Sequence, residues 1–154
     1  MPEQIQYTQP PEPGSLDVGA ALGTVCDVVE EAAEVEAVRD TSAALAIPRT
    51  HGAVAIATMT DRLLTRADGL AVGVAYIPVD RRSMRGARAL ARWETLKVKG
   101  PSDDPLGTWS YMRDLAHIVR DMVLALREHR ATAATSTRAF VGRPSMPPLA
   151  PDTP

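Results

Sequence analysis

The stretch TWSYMRDLAHIVRDMVLALREHR, residues 108 to 130, constrains the fold more than any other part of the chain. At about 100° per residue, Met112, Leu115, Ala116, Val119, Met122, Val123 and Leu126 fall on one stripe, while Ser110, His117 and Glu128 fall opposite. Such a stripe is wide enough for a helix that faces a core. Its flanks are sorted by charge, with Arg113, Arg120 and Arg127 on one side and Asp114 and Asp121 on the other. That sorting predicts a solvated face laced with ion pairs inside the helix. Pro105 suits a first turn, where its missing N–H would have no partner, and Asp103 or Asp104 supplies a cap.

The chain has 154 residues, enough for one domain with a core of its own. Residues 1–14 are polar and proline-rich, and residues 131–154 run through Thr, Ala, Ser and Pro, so both are expected to be disordered tails around a body at 15–130. Aromatic residues make up 4%, so the core must be built from small aliphatic side chains that let helices approach closely. An all-α domain follows, a single bundle of about four helices. With one cysteine there is no internal disulfide framework and no cysteine-cluster metal site; Cys26 sits on an apolar stripe as a small hydrophobe. No basic-then-apolar leader opens the sequence, and no run of about 18 apolar residues could span a bilayer, so a soluble, cytoplasmic protein is expected.

In the first helix Val18, Leu22, Val25, Cys26, Val29, Ala32 and Ala33 share a face, and Asp27, Glu30, Glu31 and Glu34 point the other way. Continued further, this helix would carry Glu36 and Asp40 onto the apolar face, where unpaired carboxylates are expensive. Either those two acids have a role or the helix breaks near Arg39; Asp40-Thr41-Ser42, a turn and capping sequence, favours the break. A second helix runs from Arg49 through Ile56, Leu63, Leu64 and Ala67, with Asp68-Gly69 expected to bend or end it. Residues 70–77 could form a strand paired with 53–59, but Leu70, Ala71 and Val74 keep the helical phase, so helix is preferred. Asp80 or Ser83 caps a third, basic helix at about 81–98, whose apolar residues lie on two sides: Met84, Ala87, Ala91 and Val98, and separately Ala89, Trp93 and Leu96. Gly100-Pro101 stops it.

Formal net charge is −2, yet residues 17–40 are acidic and 81–99 basic. Arg81, Arg85, Arg88 and Arg92 recur at helical spacing, a stripe that could grip phosphates of nucleic acid or of a phosphorylated ligand, or equally a protein partner. The acidic face of the first helix, Asp27, Glu30, Glu31 and Glu34, offers a compensating surface within the fold, and the domain as a whole is not basic.

Glu30-Glu31-Ala32-Ala33-Glu34 also spells the EExxE of all-α nucleotide pyrophosphohydrolases, which it resembles in those five residues alone. The ExxD that completes the Mg²⁺ site in that family is missing downstream, and these glutamates are expected on the outside. Asp114, His117 and Asp121 share a face, but nothing else in the chain is placed to complete a coordination sphere. No catalytic residues, metal site or cofactor are therefore assigned.

The second half, about Thr50 to His129, resembles a family of small helical proteins from streptomycetes and their relatives labelled as natural-product biosynthesis proteins. The likeness rests on His51-Gly52 leading a helix with Asp61-Arg62-Leu63-Leu64, on ARALARWETL, on Pro105-Leu106-Gly107, and on the closing MRDLAHIVRDMVLALREH. It implies an all-α accessory protein with no catalytic residues to transfer. The expected function is a non-enzymatic accessory or protein-interaction role, through a partner or self-association. Two alternatives stand beside it: a phosphate-directed protein, either a nucleic-acid binder or a pyrophosphohydrolase-like enzyme, and a phage or mobile-element structural protein. No membrane partner is expected.

Overall fold

The computed structural model describes residues 18–141, and side chains over 28–135. Of the expected tails, residues 1–14 and 142–154 lie outside the described residues, as do the side chains of Cys26 and Asp27. Four helices follow in order: α1 (Val18–Ala46), α2 (Ala53–Tyr76), α3 (Met84–Lys99) and α4 (Gly107–Val141). Among the described residues there is no strand.

The described residues divide into two units between Ala33 and Glu34, and α1 crosses the division. In the first unit, residues 28–33 are all exposed, including Val29, Ala32 and Ala33, which the sequence pattern had placed on an inner face. The second unit holds the rest of α1 together with α2, α3 and α4.

The stripe on α4 is the centre of that second unit. Met112, Leu115, Ala116, Val119, Met122 and Val123 are all buried, and Leu126 packs at the edge. Tyr111, Ile118 and Ala125 are buried as well, so the apolar face is wider than its sequence pattern. The reason is that α4 is packed by α2 and α3 together. α2 contributes Ile56, Leu63, Ala67, Leu70 and Val74, and α3 contributes Gly86, Ala89 and Trp93. Each fully buried leucine or methionine here stabilises the fold by roughly 2 kcal/mol through its transfer from water.

Helix phase decides the ambiguous segments. α2 runs through Asp68-Gly69 without a break and ends at Tyr76, with Leu70, Val74 and then Ile77 buried in register with Leu63 and Ala67. The helical alternative for residues 70–77 therefore prevails over the hairpin. In α1 the expected break near Arg39 is absent: Asp40-Thr41-Ser42 is helical and the helix continues to Ala46. Ser42 is accommodated because its hydroxyl donates to the Val38 carbonyl at 2.9 Å, a back-bond that satisfies it inside a helix. On α3 one apolar side faces inward; Ala89 and Trp93 are buried, whereas Met84, Ala87, Ala91 and Val98 are exposed. α4 continues past Arg130 to Val141, further than the boundary drawn from composition.

Short loops make tight approaches. Ser83 caps α3 as expected, its Oγ accepting the Gly86 N–H at 3.2 Å. Gly86 lies 3.2 Å, measured from an imagined Cβ, from both Ala125 Cβ and Val74 Cγ1, which is how α3 sits close to two helices. Gly100 closes α3 at φ +64°, a conformation that favours glycine. Asp104 fixes the loop before α4: its carboxylate accepts the Ser102 hydroxyl and, at 2.9 Å, the Leu106 N–H. Those bonds hold its carboxyl below the usual carboxylate range, the Ser102 hydroxyl first.

Two glycine substitutions separate packing from propensity. A Cβ on Gly107 would penetrate the Ser102 carbonyl, whereas one on Gly69 meets nothing within 4 Å. Gly107→Ala is expected to destabilise by more than about 2 kcal/mol, and Gly69→Ala to stabilise by about 0.5–1 kcal/mol. Urea denaturation of the two variants measures both signs.

Candidate functional site

From residue 34 onward, the inward positions of α1 are Glu34, Ala37, Asp40, Thr41 and Ala44, so three of its five buried residues are polar. Glu34, expected on the outer acidic face, is 2% exposed. Arg127 Nε donates to its Oε2 at 3.2 Å and Arg130 Nη2 at 2.7 Å. Arg130 Nη1 lies 2.6 Å from Oε1 as an ion-pair contact, out of alignment for a hydrogen bond. Desolvation of one carboxylate is thus offset by two guanidinium groups from α4, which is why a glutamate can lie where periodicity alone would put an aliphatic residue.

Asp40 repeats the arrangement against α2. Arg66 Nε donates to its Oδ2 at 3.1 Å, and Arg66 Nη2 is 3.9 Å from Glu36, which is also 3.9 Å from Arg39. The two acids that conflicted with a continuous helix therefore have partners, and the helix need not break. Glu30 and Glu31 are exposed. Asp27 lies outside the described side chains.

The basic stripe of α3 is divided. Arg85 Nε donates to Glu128 at 3.0 Å, and Arg85 and Arg92 both approach Asp121 at 3.6 Å. Arg81 and Arg88 are exposed and make no ion pair among the described residues. Arg85 and Arg92 are compensated by Asp121 and Glu128 of α4, while Glu34, one of the α1 acids expected to offer a compensating surface, is taken by Arg127 and Arg130. By the same token, the sorted charges of α4 serve neighbouring helices: Asp121 meets α3 and Arg127 meets α1.

Trp109 and Arg113 of α4 secure the end of α1. Trp109 Nε1 donates to the Ile47 carbonyl at 3.1 Å and Arg113 Nη1 to the Leu45 carbonyl at 2.9 Å. The Arg49 and Arg113 guanidinium groups lie 5.0 and 4.8 Å from the Trp109 ring centre. Arg82 does the same for α2, donating to the Ala75 and Ile77 carbonyls at 2.7 and 2.9 Å. In both cases a cation from another segment meets the negative end of a helix whose own last turn has none.

A shallow groove of about 360 Å³ runs between α3 and α4, lined by Ala91, Arg92, Thr95, Leu96, Lys99, Asp114 and Ile118. Arg92 is engaged with Asp121 and the Thr95 hydroxyl with the Ala91 carbonyl, so no nucleophile is paired with a base there. Among the described residues no three His, Cys, Asp or Glu side chains converge as metal ligands. Asp114, His117 and Asp121 do not act together, because Asp121 is drawn to α3. Among the described residues, no helix is long and apolar enough to cross a membrane.

Sequence reasoning missed Arg66, Arg127 and Arg130 as partners of acids. The one available signal was the clash of Glu36 and Asp40 with the helical phase, which marks a carboxylate in need of a cation without identifying it. Compared with known proteins, the chain matches no family model, no curated protein and no solved structure.

His117 is half-buried, and burial lowers its pKa, aided by Arg120, Arg113 and Arg92 and opposed by Asp114. A depressed histidine stabilises the fold while neutral: its contribution is present above the unfolded value of about 6.5 and is lost as pH falls through the lower folded value. His117→Gln is expected to raise Tm relative to the parent at pH 5 and leave it unchanged at pH 7.5. Thermal melts at the two pH values check this.

Proposed function

We propose that the protein is a non-enzymatic accessory or interaction protein that works through its charged and apolar surface. The observation that carries this reading is how its ionisable groups are used. Glu34 and Asp40, the carboxylates drawn into the fold, are each matched by arginine, which leaves no buried acid poised for proton transfer or metal binding among the described residues. Exposed groups remain for docking: Arg81 and Arg88 on the α3 side, and Glu30 and Glu31 on α1. Large apolar side chains accompany them, with Tyr76, Val79 and Met84 each more than two-thirds exposed. An aromatic and a methionine beside arginines is the composition of a contact surface rather than of a reaction site.

The phosphate-directed alternative loses support from the same geometry. Two of the four arginines that would have gripped phosphates are held by Asp121 and Glu128. An accessory role in actinobacterial natural-product biosynthesis is what the family resemblance implies, and it fits a protein without a reaction site of its own.

The test reverses the two exposed arginines, Arg81→Glu with Arg88→Glu. Sedimentation velocity at low and high salt is expected to show self-association or partner binding reduced about tenfold or more, with Tm within a degree of the parent. Association unchanged by the reversal would contradict the reading. Salt-dependent binding to DNA or RNA in the parent protein would favour the phosphate-directed alternative instead.

A further inference from the structure

We infer that residues 34–46 of α1 form a separable docked segment, held to α2 and α4 by paired charges and able to leave the face beneath it while the α2–α4 core stays folded. The inference concerns the fold's own dynamics and stands whether or not the proposed partner role is correct.

Three observations lead to it. First, the buried apolar side chains of this segment are Ala37 and Ala44, with Leu45 half-buried, whereas α2, α3 and α4 bury Leu63, Trp93, Met112, Leu115, Ile118 and Met122 completely. Apolar burial scales with area, so this segment gains far less from docking than the helices it covers. Second, what it buries instead is polar. Glu34 and Asp40 lose water and regain Arg127, Arg130 and Arg66, an exchange that comes close to breaking even. The buried Thr41 hydroxyl has no hydrogen-bond partner, so its burial opposes docking. Third, the segment's larger apolar side chains point away from the core: Val35 is 55% and Val38 37% exposed. Undocking therefore exposes little additional apolar surface on the segment itself.

The contacts at the far end suit a pivot. Leu45 and Ile47 carbonyls are tied to Arg113 and Trp109 of α4, and these bonds lie beyond the charged pairs. Opening would uncover Arg66, Arg127 and Arg130 on one face of α2 and α4. The chemistry of that face matches another carboxylate-bearing helix, with residues 34–46 as its resident occupant.

Hydrogen exchange followed by mass spectrometry on the full chain tests this. Amides of residues 37–46 are expected to exchange at least about tenfold faster than those of 112–125, and to do so together. Glu34→Gln should accelerate 37–46 by about a further tenfold and leave 112–125 unchanged, because it removes the charge from two arginine contacts. Arg127→Lys keeps the charge and loses the Nε–H that donates to Glu34, so a smaller acceleration, confined to the same residues, is expected. Equal protection of 37–46 and 112–125 in the parent would overturn the inference. So would acceleration of both sets together in either variant, including a Glu34→Gln chain that loses protection throughout, since docking would then be inseparable from the core.

Discussion

A carboxylate buried on a helix must meet a cation, and on α1 this requirement decides which face turns inward. Glu34 and Asp40 are taken out of water at positions about one and two-thirds turns apart, Glu34 met by two guanidinium groups of α4 and Asp40 by one of α2. Arg66 of α2 and Arg127 and Arg130 of α4 thereby fix the register of α1 against both. The remaining helices follow the opposite rule. Trp93, Leu63 and the aliphatic stripe of α4 exclude water through apolar area, with the α3–α4 ion pairs confined to its exposed edge, and Gly86 lets α3 approach closely enough to close that core. Two kinds of adhesion therefore coexist in one small unit: a dry centre built on α2, α3 and α4, and an ionic attachment for residues 34–46.

This division bears on function. Ion pairs between helices absorb Arg66, Arg85, Arg92 and Arg127, and with them Glu34, Asp40, Asp121 and Glu128. Charges that in the sequence resemble a phosphate grip or an acidic metal site are in large part structural. In the second unit the exposed remainder includes Arg81 and Arg88 with Tyr76, Val79 and Met84, and the proposed role as an interaction protein rests on such exposed groups.

The helical centre was legible because apolar periodicity reports burial directly when the buried residues are apolar. Met112 through Leu126 lies as its spacing implies, and the phase of Leu70 and Val74 identified the end of α2. The capping chemistry of Ser83 was legible for the same reason, being local. What could not be read was the inner face of α1. A buried glutamate looks identical in sequence to a solvated one, and its partners lie more than ninety positions away in the chain. Asp40-Thr41-Ser42 reads as a turn by propensity, yet a long-range bond to Arg66 and a back-bond from Ser42 make the helical state satisfactory there. The division of the arginine stripe is hidden likewise, because helical spacing alone directs Asp121 to pairs within its own helix.

Whether α1 is positioned by charge is most directly measured by a double-mutant cycle on Asp40 and Arg66. Urea denaturation of the parent, Asp40→Ala, Arg66→Ala and the double variant gives the coupling between the two side chains without assigning the whole cost of either truncation to the pair. A coupling energy of about 1–3 kcal/mol is expected for a carboxylate that is largely buried against its guanidinium partner. Additivity within about 0.3 kcal/mol would contradict a charge-positioned α1 and would return its placement to the few apolar contacts of Ala37, Ala44 and Leu45.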